Sequence, residues 1–523
     1  MNPADPAPLI HQASMVTVGD LLRHRARVDP DRIAIEQGDR RWRYAAFDAR
    51  VDRLAAVLGA EGVGRGDRVA ILSENRLEYL ELIFAAARIG AIVAALNWRL
   101  VGRELEHCVR LVSPRLAMVS PRYEDGWARL DAGVSSAIVL GADYEARLAA
   151  AVPREATQTV EPEDGLLILY TSGTTGLPKG ALISHRAQIA RLQVALMDWN
   201  LERDDAFVAW PPMFHMASAD QCIATLAVGG KVVVVDGFDV ERILDAVERD
   251  DQWWLVLMPG MIEPVIREAR RRSVRPKRLK RIGAMADLVP LAQIAEVTGL
   301  LRAPYANTFG STETGLPPLS LGVVAPGATP GGLSKTPDAL CRVELVDADD
   351  RPVPDGAPGE LAFSGPTLFS GYWNAPETNA RDFRGGRFHM GDMFRRLPDG
   401  TYAFVDRVKY LIKSGGENIY PAEVERVLLA EPRVLDAIVV RRADAQWGEV
   451  PVAVVVRKDE GLGADELTAL CRRELAGYKR PKEIRFVRSE ELPRSATGKI
   501  QRHEVEALLE RWDRRDRSDA DRS

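Results

Sequence analysis

The sequence predicts an α/β protein. A large N-terminal domain of layered sheets and helices closes with a β-rich subdomain, and a small C-terminal α+β domain follows. Three observations carry this. Over residues 18–97, amphipathic helical periods alternate with short β-rich runs. Leu54-Ala55-Ala56-Val57-Leu58 continues a helix, Gly66-Asp67 turns the chain, and Arg68-Val69-Ala70-Ile71-Leu72 reads as a strand. That helix, turn, strand rhythm builds α/β layers. The run 231–236 is apolar and bounded by Gly-Gly and Asp-Gly, hence a buried strand. The third observation is a boundary at Asp406-Arg407-Val408-Lys409. A turn-rich β region (Leu397-Pro398-Asp399-Gly400) precedes it, and a compact pattern with its own helices and strands follows. The helices are read at 423–429 and 466–475 and the strands at 437–440 and 452–456, enough for an independent domain. The domains are therefore 1–406 and 407–523.

The remaining segments are read in order. Residues 1–16 form a loose leader. The most apolar stretch, 82–96, carries Arg88 and Gly90 and reads as a buried helix turning into a buried strand, too short to span a membrane. The polar stretch 153–164 reads as a subdomain linker, and the Gly- and Pro-rich stretch 323–338 as loop. The tail, 511–523, alternates Arg and Asp and is expected to be disordered. There are no internal repeats.

At 523 residues the chain is long enough for about three compact units. Apolar residues make up 46% and charged residues 28%, as in globular enzymes, and the net charge of −5 gives no reason to expect nucleic-acid binding. A local basic run at 267–281 reads as the solvated face and end of a helix, with a dock for an acidic carrier protein, anionic membrane or nucleotide as the other reading. Cys108, Cys222, Cys341 and Cys471 lie far apart without a C-x-x-C pair. That argues against a zinc site or disulfide framework and suits a reducing, cytoplasmic compartment. No secretory signal pattern opens the chain.

Chemistry concentrates in Thr171-Ser172-Gly173-Thr174-Thr175-Gly176-Leu177-Pro178-Lys179-Gly180. A strand-like run at 166–170 enters it and an apolar run at 181–183 leaves it. Glycines let backbone N–H groups curl around an anion, and four hydroxyls and one ammonium add donors to phosphate oxygens. No register satisfies G-x-x-x-x-G-K-[ST], so this is not the common P-loop.

This loop resembles the phosphate loop of the adenylate-forming (AMP-binding) superfamily, which holds acyl-CoA synthetases, the adenylation domains of peptide synthetases, and luciferases. The resemblance spans about residues 18–505. It implies that residues 171–176 and Lys179 grip the β- and γ-phosphates. In Tyr305-Ala306-Asn307-Thr308-Phe309-Gly310-Ser311-Thr312-Glu313-Thr314-Gly315, following Gly283-Ala284, the matching positions hold adenine, the α-phosphate and the metal. Phe309 is placed to stack on a purine, Gly310 allows close approach, Thr312 bonds phosphate, and Glu313 suits Mg²⁺. Met285 stands where the family usually has proline. Asp392 of His389-Met390-Gly391-Asp392 is assigned to the ribose and Arg407 to the nucleotide. Lys409 matches the hinge on which the small domain swings, and Tyr410 replaces a more usual Asp.

The loop Ser414-Gly415-Gly416-Glu417-Asn418 resembles the turn that lines the channel for the pantetheine arm of CoA. Trp447-Gly448-Glu449 matches a segment near that channel, or is simply a tryptophan packed at a turn. Lys499, in Pro493-Arg494-Ser495-Ala496-Thr497-Gly498-Lys499-Ile500, would draw carboxylate and α-phosphate together and stabilise the pentavalent transition state. The catalytic set is thus Lys499, Thr312, Glu313 and Lys179. Pro212-Met213-Phe214-His215-Met216-Ala217 matches the segment beside the acyl pocket. His215 either gates the CoA channel or packs. The expected pocket wall takes in Phe214, His215, Ala217, Ala219, Met285 and Gly315. His215 stands near where peptide-synthetase domains place an amine-binding Asp, which disfavours amino acids, although Asp220 is close in sequence.

The resemblance implies an acid–thiol ligase. A carboxylic acid, a medium or long fatty acid or a bulky or aromatic one, reacts with Mg·ATP to give acyl-AMP and pyrophosphate, and CoA then takes the acyl group. The rivals are a stand-alone ligase loading an acyl carrier protein, a luciferase-like oxygenase, and a non-catalytic acyl or nucleotide sensor. The acid, pathway and oligomeric state stay open.

Overall fold

Two six-stranded sheets form the layers of the large domain. In the computed structural model the described residues are 14–100, 102–131, 133–134, 136–153, 159–171, 177–258, 260–414, 417–494 and 500–520. The first sheet runs Arg278–Leu279, Asp251–Gln252, Ala206–Ala209, Lys231–Val234, Ile33–Gln37, Arg40–Arg43; only its last pair is antiparallel. The second runs Ala137–Val139, Leu116–Val119, Arg68–Leu72, Ile92–Ala95, β1 (Gly165–Thr171) and β2 (Lys179–Ser184). It is parallel until β2 folds back antiparallel on β1. Strands covered on both faces read as continuous apolar runs, which is why 68–72 and 231–234 were legible.

The helix Leu77–Ile89 is buried nearly throughout, stops at Gly90 (φ 71°), and leads into the strand Ile92–Ala95. A left-handed C-terminal cap is what glycine permits without strain. Of the stretch 153–164, read as a subdomain linker, residues 154–158 lie outside the described residues. The helix Ala142–Ala150 precedes it, and β1, which follows it, pairs with Ile92–Ala95.

Two helices follow β2 in chain order: α1 (His185–Trp199) directly, and α2 (Met216–Val228) after the strand Ala206–Ala209. Residues 323–338 are loop apart from a two-residue pairing of Val323–Val324 with Tyr305–Ala306 and a single bridge from Lys335 to Tyr402. A four-stranded antiparallel meander then closes the large domain: Arg342–Val346, Pro358–Ser364, β3 (Phe388–Arg396) and β4 (Tyr402–Arg407).

The small domain has a sheet and two apolar clusters of its own, one around Ile412, Val424, Val439 and Leu467, the other around Val440, Val454 and Leu509. Its first α-helix is α3 (Pro421–Leu429), after the strands Ile412–Ser414 and Glu417–Ile419, and its last described helix is α4 (Arg502–Ala520). Residues 511–520 thus depart from the expected disorder, and 521–523 lie outside the described residues. Val505, Leu509 and Trp512 lay one helix face on Ile438 and Val452, and a helix anchored this way propagates into a charged stretch that could not nucleate alone.

The basic run at 267–281 is matched by acids. Arg270 pairs with Glu296, Arg271 with Glu268, Arg272 with Asp245 and Glu248, and Arg278 and Lys280 with Asp205. This is the solvated helix end, with most of its charge already compensated.

Asn75 ties the two layers together. It follows the strand Arg68–Leu72 of the second sheet. Its amide nitrogen lies 2.8–3.2 Å from the carbonyls of Ala209, Trp210, Pro211 and Val235 in the first, and its oxygen accepts the Met213 N–H at 2.8 Å. Buried groups left without partners cost about 1–3 kcal/mol each. Asn75→Ala is therefore expected to lower the unfolding free energy by at least about 2 kcal/mol in urea titrations.

Candidate active site

The β1–β2 hairpin brings Thr171 opposite Lys179. The loop between them was the predicted phosphate grip; of it, Ser172, Gly173, Thr174, Thr175 and Gly176 lie outside the described residues. At its end the Lys179 ammonium stands 3.7 Å from the centroid of the Tyr372 ring and 3.8 Å from a carboxylate oxygen of Asp382. Burial pushes its pKa below the usual lysine value, and the Asp382 and Glu313 carboxylates oppose the shift.

Tyr372 also turns its hydroxyl to Glu313 and donates to Oε1 at 2.7 Å. Burial, then the Glu313 charge, drives the phenol upward, so it stays a neutral donor. Tyr372 is fixed by a bridge to Ala181 on β2 and by reciprocal bonds with the Asn379 amide at 2.7 and 2.9 Å. Sequence reasoning missed Tyr372, Asn379 and Asp382. Their signal, an aromatic and two polar residues some 200 positions after the loop, has no recognisable spacing.

Glu313 and Thr312 sit in a tight hairpin between the strands Gly310–Ser311 and Gly315–Pro318. Thr314 closes it, accepting from the Ser311 N–H at 3.1 Å and donating to the Pro317 carbonyl at 2.6 Å. Gly310 is obligatory: a Cβ there would lie 2.0 Å from the Gly315 carbonyl oxygen. Gly283 (φ 82°) is equally constrained, because a side chain would enter the Tyr305 ring.

The Tyr305 hydroxyl donates to the Ala284 carbonyl at 2.9 Å. Met285 takes φ 36° and donates its N–H to Thr308 Oγ1 at 3.0 Å. A proline, locked near −65°, could not adopt that conformation, so the departure at 285 goes with a local change of backbone. The Asn307 amide is fully engaged. Its oxygen accepts from the Lys335 ammonium at 2.5 Å and the Ala286 N–H at 3.3 Å, and its nitrogen donates to the Leu333 and Ser334 carbonyls at 3.0 and 3.1 Å. It therefore holds the walls of this region together. Phe309, 5% exposed, packs against Phe394 with centroids 4.6 Å apart and offers a base only a small part of its ring.

The β3–β4 register sets Asp392 beside Arg407, whose Nε donates to Oδ1 at 2.9 Å. The Asp392 charge raises the guanidinium pKa, so Arg407 stays charged. Lys409 lies in the 3₁₀ turn Val408–Tyr410 directly after β4, with its ammonium 4.9 Å from the Tyr410 ring centroid. Ser414 pairs with Gly448, which places it beside exposed Trp447. Gly415, Gly416 and Lys499 lie outside the described residues; Arg494 and Ile500, flanking the Lys499 loop, pair antiparallel.

At the expected acyl pocket, Phe214, Ala217 and Ala219 are buried. Phe214 meets Trp98 edge-on at 6.3 Å, and the Arg99 guanidinium lies 5.8 Å from its centroid. His215 caps α2: its Nδ1 accepts the Ala217 N–H at 3.1 Å, which puts the neutral ring's proton on Nε2.

Magnesium typically takes one or two carboxylates plus phosphate oxygens. Among the described residues no cluster of three or more His, Cys, Asp or Glu side chains is arranged to hold a metal. Glu313 alone, held beside the end of the phosphate loop, fits a metal whose other ligands are nucleotide oxygens and water. No helix among the described residues is long and apolar enough to cross a membrane.

A hydroxyl- and glycine-rich hairpin loop ending in lysine, a carboxylate held next to it and an aspartate–arginine pair at the domain boundary define a nucleotide-binding enzyme of the AMP-binding class. The chain belongs to the AMP-binding enzyme family, which matches residues 22–373, and the C-terminal domain of the same family matches residues 423–499. It is 36% identical over 483 residues to a feruloyl-CoA synthase of Amycolatopsis, covering 92% of this chain and 96% of that one. It is also 36% identical over 511 residues to an indoleacetate–CoA ligase of Aromatoleum aromaticum, covering 94% and 98%. An anthranilate CoA ligase in complex with anthranoyl-AMP shares the fold at a TM-score of 0.84 and 23% identity, covering 95% of this chain and 97% of that one.

Three outcomes are expected. Tyr372→Phe keeps the ring under Lys179 but removes the donor to Glu313, so the rate of acyl-AMP formation should fall about tenfold in pyrophosphate-exchange assays, and the buried carboxylate left without that donor should cost about 1–3 kcal/mol of stability. The pH profile of kcat/KM for ATP reports the free enzyme. Its alkaline limb should fall below the ordinary lysine value of 10.5 as Lys179 loses its charge. Asp382→Asn removes a carboxylate that favours the ammonium and should move that limb to lower pH.

Proposed function

We propose that the protein is an ATP-dependent acid–CoA ligase acting on a bulky or aromatic carboxylic acid. The observation that carries it is the Lys179–Tyr372–Glu313 cluster: a cation for phosphate oxygens held beside a hard anionic oxygen for Mg²⁺. The first half-reaction joins a substrate carboxylate oxygen to the α-phosphorus and expels pyrophosphate. Residues 171–176 and Lys179 hold the β- and γ-phosphates, Thr312 bonds a phosphate oxygen, and Asp392 with Arg407 orients the ribose. Glu313 would hold Mg²⁺, which when bound would offset phosphate charge. Lys499 brings the two anions together and stabilises the growing charge.

In the second half-reaction the CoA sulfur attacks the acyl carbon and AMP leaves with the carboxyl oxygen. The small domain, 407–523, would turn at Lys409, withdrawing Lys499 and bringing the Ser414–Gly415–Gly416 loop and Trp447 to the pantetheine channel. CoA as acceptor is supported by the relatives, which carry that acceptor in their names along nearly their whole length. An aromatic acid is supported by the feruloyl and indoleacetate relatives and by small Ala217 and Ala219 beside Phe214. Four widely spaced cysteines favour a cytoplasmic setting. A carrier-loading ligase has less support, because the basic run that would dock a carrier is paired with acids. A sensor would have no need of the Lys179–Glu313 arrangement.

Mass spectrometry of products from purified protein, Mg·ATP, CoA and a panel of arylacetic, cinnamic, benzoic and fatty acids tests this. Acyl-CoA and AMP are expected with one aromatic class. Acyl-AMP accumulating without acyl-CoA would overturn CoA as acceptor. Lys499→Ala should slow acyl-AMP formation by at least about 100-fold.

A further inference from the structure

Arg191, on α1, lies beneath the Thr312–Gly315 hairpin and joins three separate segments. Its Nη1 meets Asp220 Oδ2 at 3.0 Å, its Nη2 donates to the Thr312 carbonyl at 3.0 Å, and its Nε donates to the Thr367 carbonyl at 3.2 Å. The Arg191 and Asp220 side chains are each 3% exposed. The arginine stem fills the space under Gly315, where an added Cβ would come within 2.8 Å of it.

Each of the three segments belongs to the site. Asp220 is on α2, the wall that carries Ala217 and Ala219. Thr312 precedes Glu313. Thr367 begins the stretch that reaches Tyr372, and two residues on, the Phe369 N–H donates to the Glu313 carbonyl at 2.8 Å. α1 itself continues from β2, which starts at Lys179. A buried ion pair is a poor source of stability, since desolvation opposes the Coulomb gain. A planar guanidinium with fixed donors is, however, well suited to hold several carbonyls in register.

We propose that Arg191, held by Asp220, is the positioning residue that fixes the Thr312–Glu313 backbone for binding of Mg·ATP, and that Asp220 is thereby committed to Arg191 and does not recognise an amine on the substrate. This rests on the ligase reading. It settles the ambiguity Asp220 poses in the sequence: an aspartate near His215 has the position of an amine ligand but serves a protein cation.

The test is ATP binding by calorimetry, with and without Mg²⁺, on wild type, Asp220→Asn, Arg191→Lys and Arg191→Met, together with steady-state KM for ATP and for the acid. In wild type, Mg²⁺ is expected to strengthen ATP binding. The Asp220→Asn and Arg191→Met proteins are expected to lose about 10–100-fold in Mg·ATP affinity, while metal-free ATP affinity and the KM for the acid stay within about threefold. Arg191→Lys keeps the charge but not the fork, and should recover only part of the loss.

A lowered melting temperature with unchanged Mg·ATP affinity would reduce the pair to a structural role and overturn the proposal. So would a change confined to the KM of the acid, or wild-type activity on amino acids that Asp220→Asn abolishes, since either makes Asp220 a substrate contact. Should Arg191→Met fail to fold, the isosteric Asp220→Asn carries the test. Wild-type protein that binds no Mg·ATP would overturn the ligase reading itself, a result distinct from any of these.

Discussion

Much of the site depends on one side chain that faces two charges. Tyr372 presents its ring to the Lys179 ammonium and its hydroxyl to the Glu313 carboxylate. The ammonium and the carboxylate stay close without pairing directly, because Tyr372 stands between them. An aromatic ring attracts an ammonium weakly while its hydroxyl satisfies the carboxylate. Everything around it serves to hold that residue. The bridge to Ala181 fixes it to the second sheet, and the Asn379 amide fixes its backbone.

A second buried charge organises the opposite wall. Lys335 is fully buried, 2.5 Å from Asp287 and from the Asn307 oxygen. Burial lowers its pKa, and Asp287 opposes that. A buried ammonium is tolerated only with such partners, so the loop at 333–335, the segment at 283–287 and Asn307 are held as a unit. This explains how a polypeptide with Met285 in a left-handed conformation keeps a defined shape beside Thr308.

The domain junction follows similar rules. Asp406, the penultimate residue of β4, accepts the N–H groups of Arg407 at 2.6 Å and of Ala422 at 2.7 Å, the latter in the first turn of α3. It thus caps a helix of the small domain from a strand of the large one. Burial pushes its carboxyl up to about 6, with Arg502 acting against the shift. Arg502 in turn pairs with Glu425 at 2.8 Å and lies over the Tyr410 ring at 4.6 Å. The turn that carries Lys409 is therefore bordered by bonds on both sides.

The layers, the buried strands at 68–72 and 231–234, and the family itself were legible in the sequence, because apolar runs, glycine turns and hydroxyl-rich loops are local patterns. Local composition misled where a segment's fate was set by its partner. The charged stretch 511–520 is helical because Val505 and Leu509, earlier in the same helix, found an apolar face. The resemblance read from the sequence assigned Glu313 and Lys179 to one site, and both side chains meet Tyr372. Only tertiary structure decided what surrounds them: Tyr372 between them, Asn307 engaged with Lys335, and Asp220 bound to Arg191. Those contacts join residues 28 to nearly 200 positions apart, and a pairing made through space leaves no periodicity or spacing along the chain.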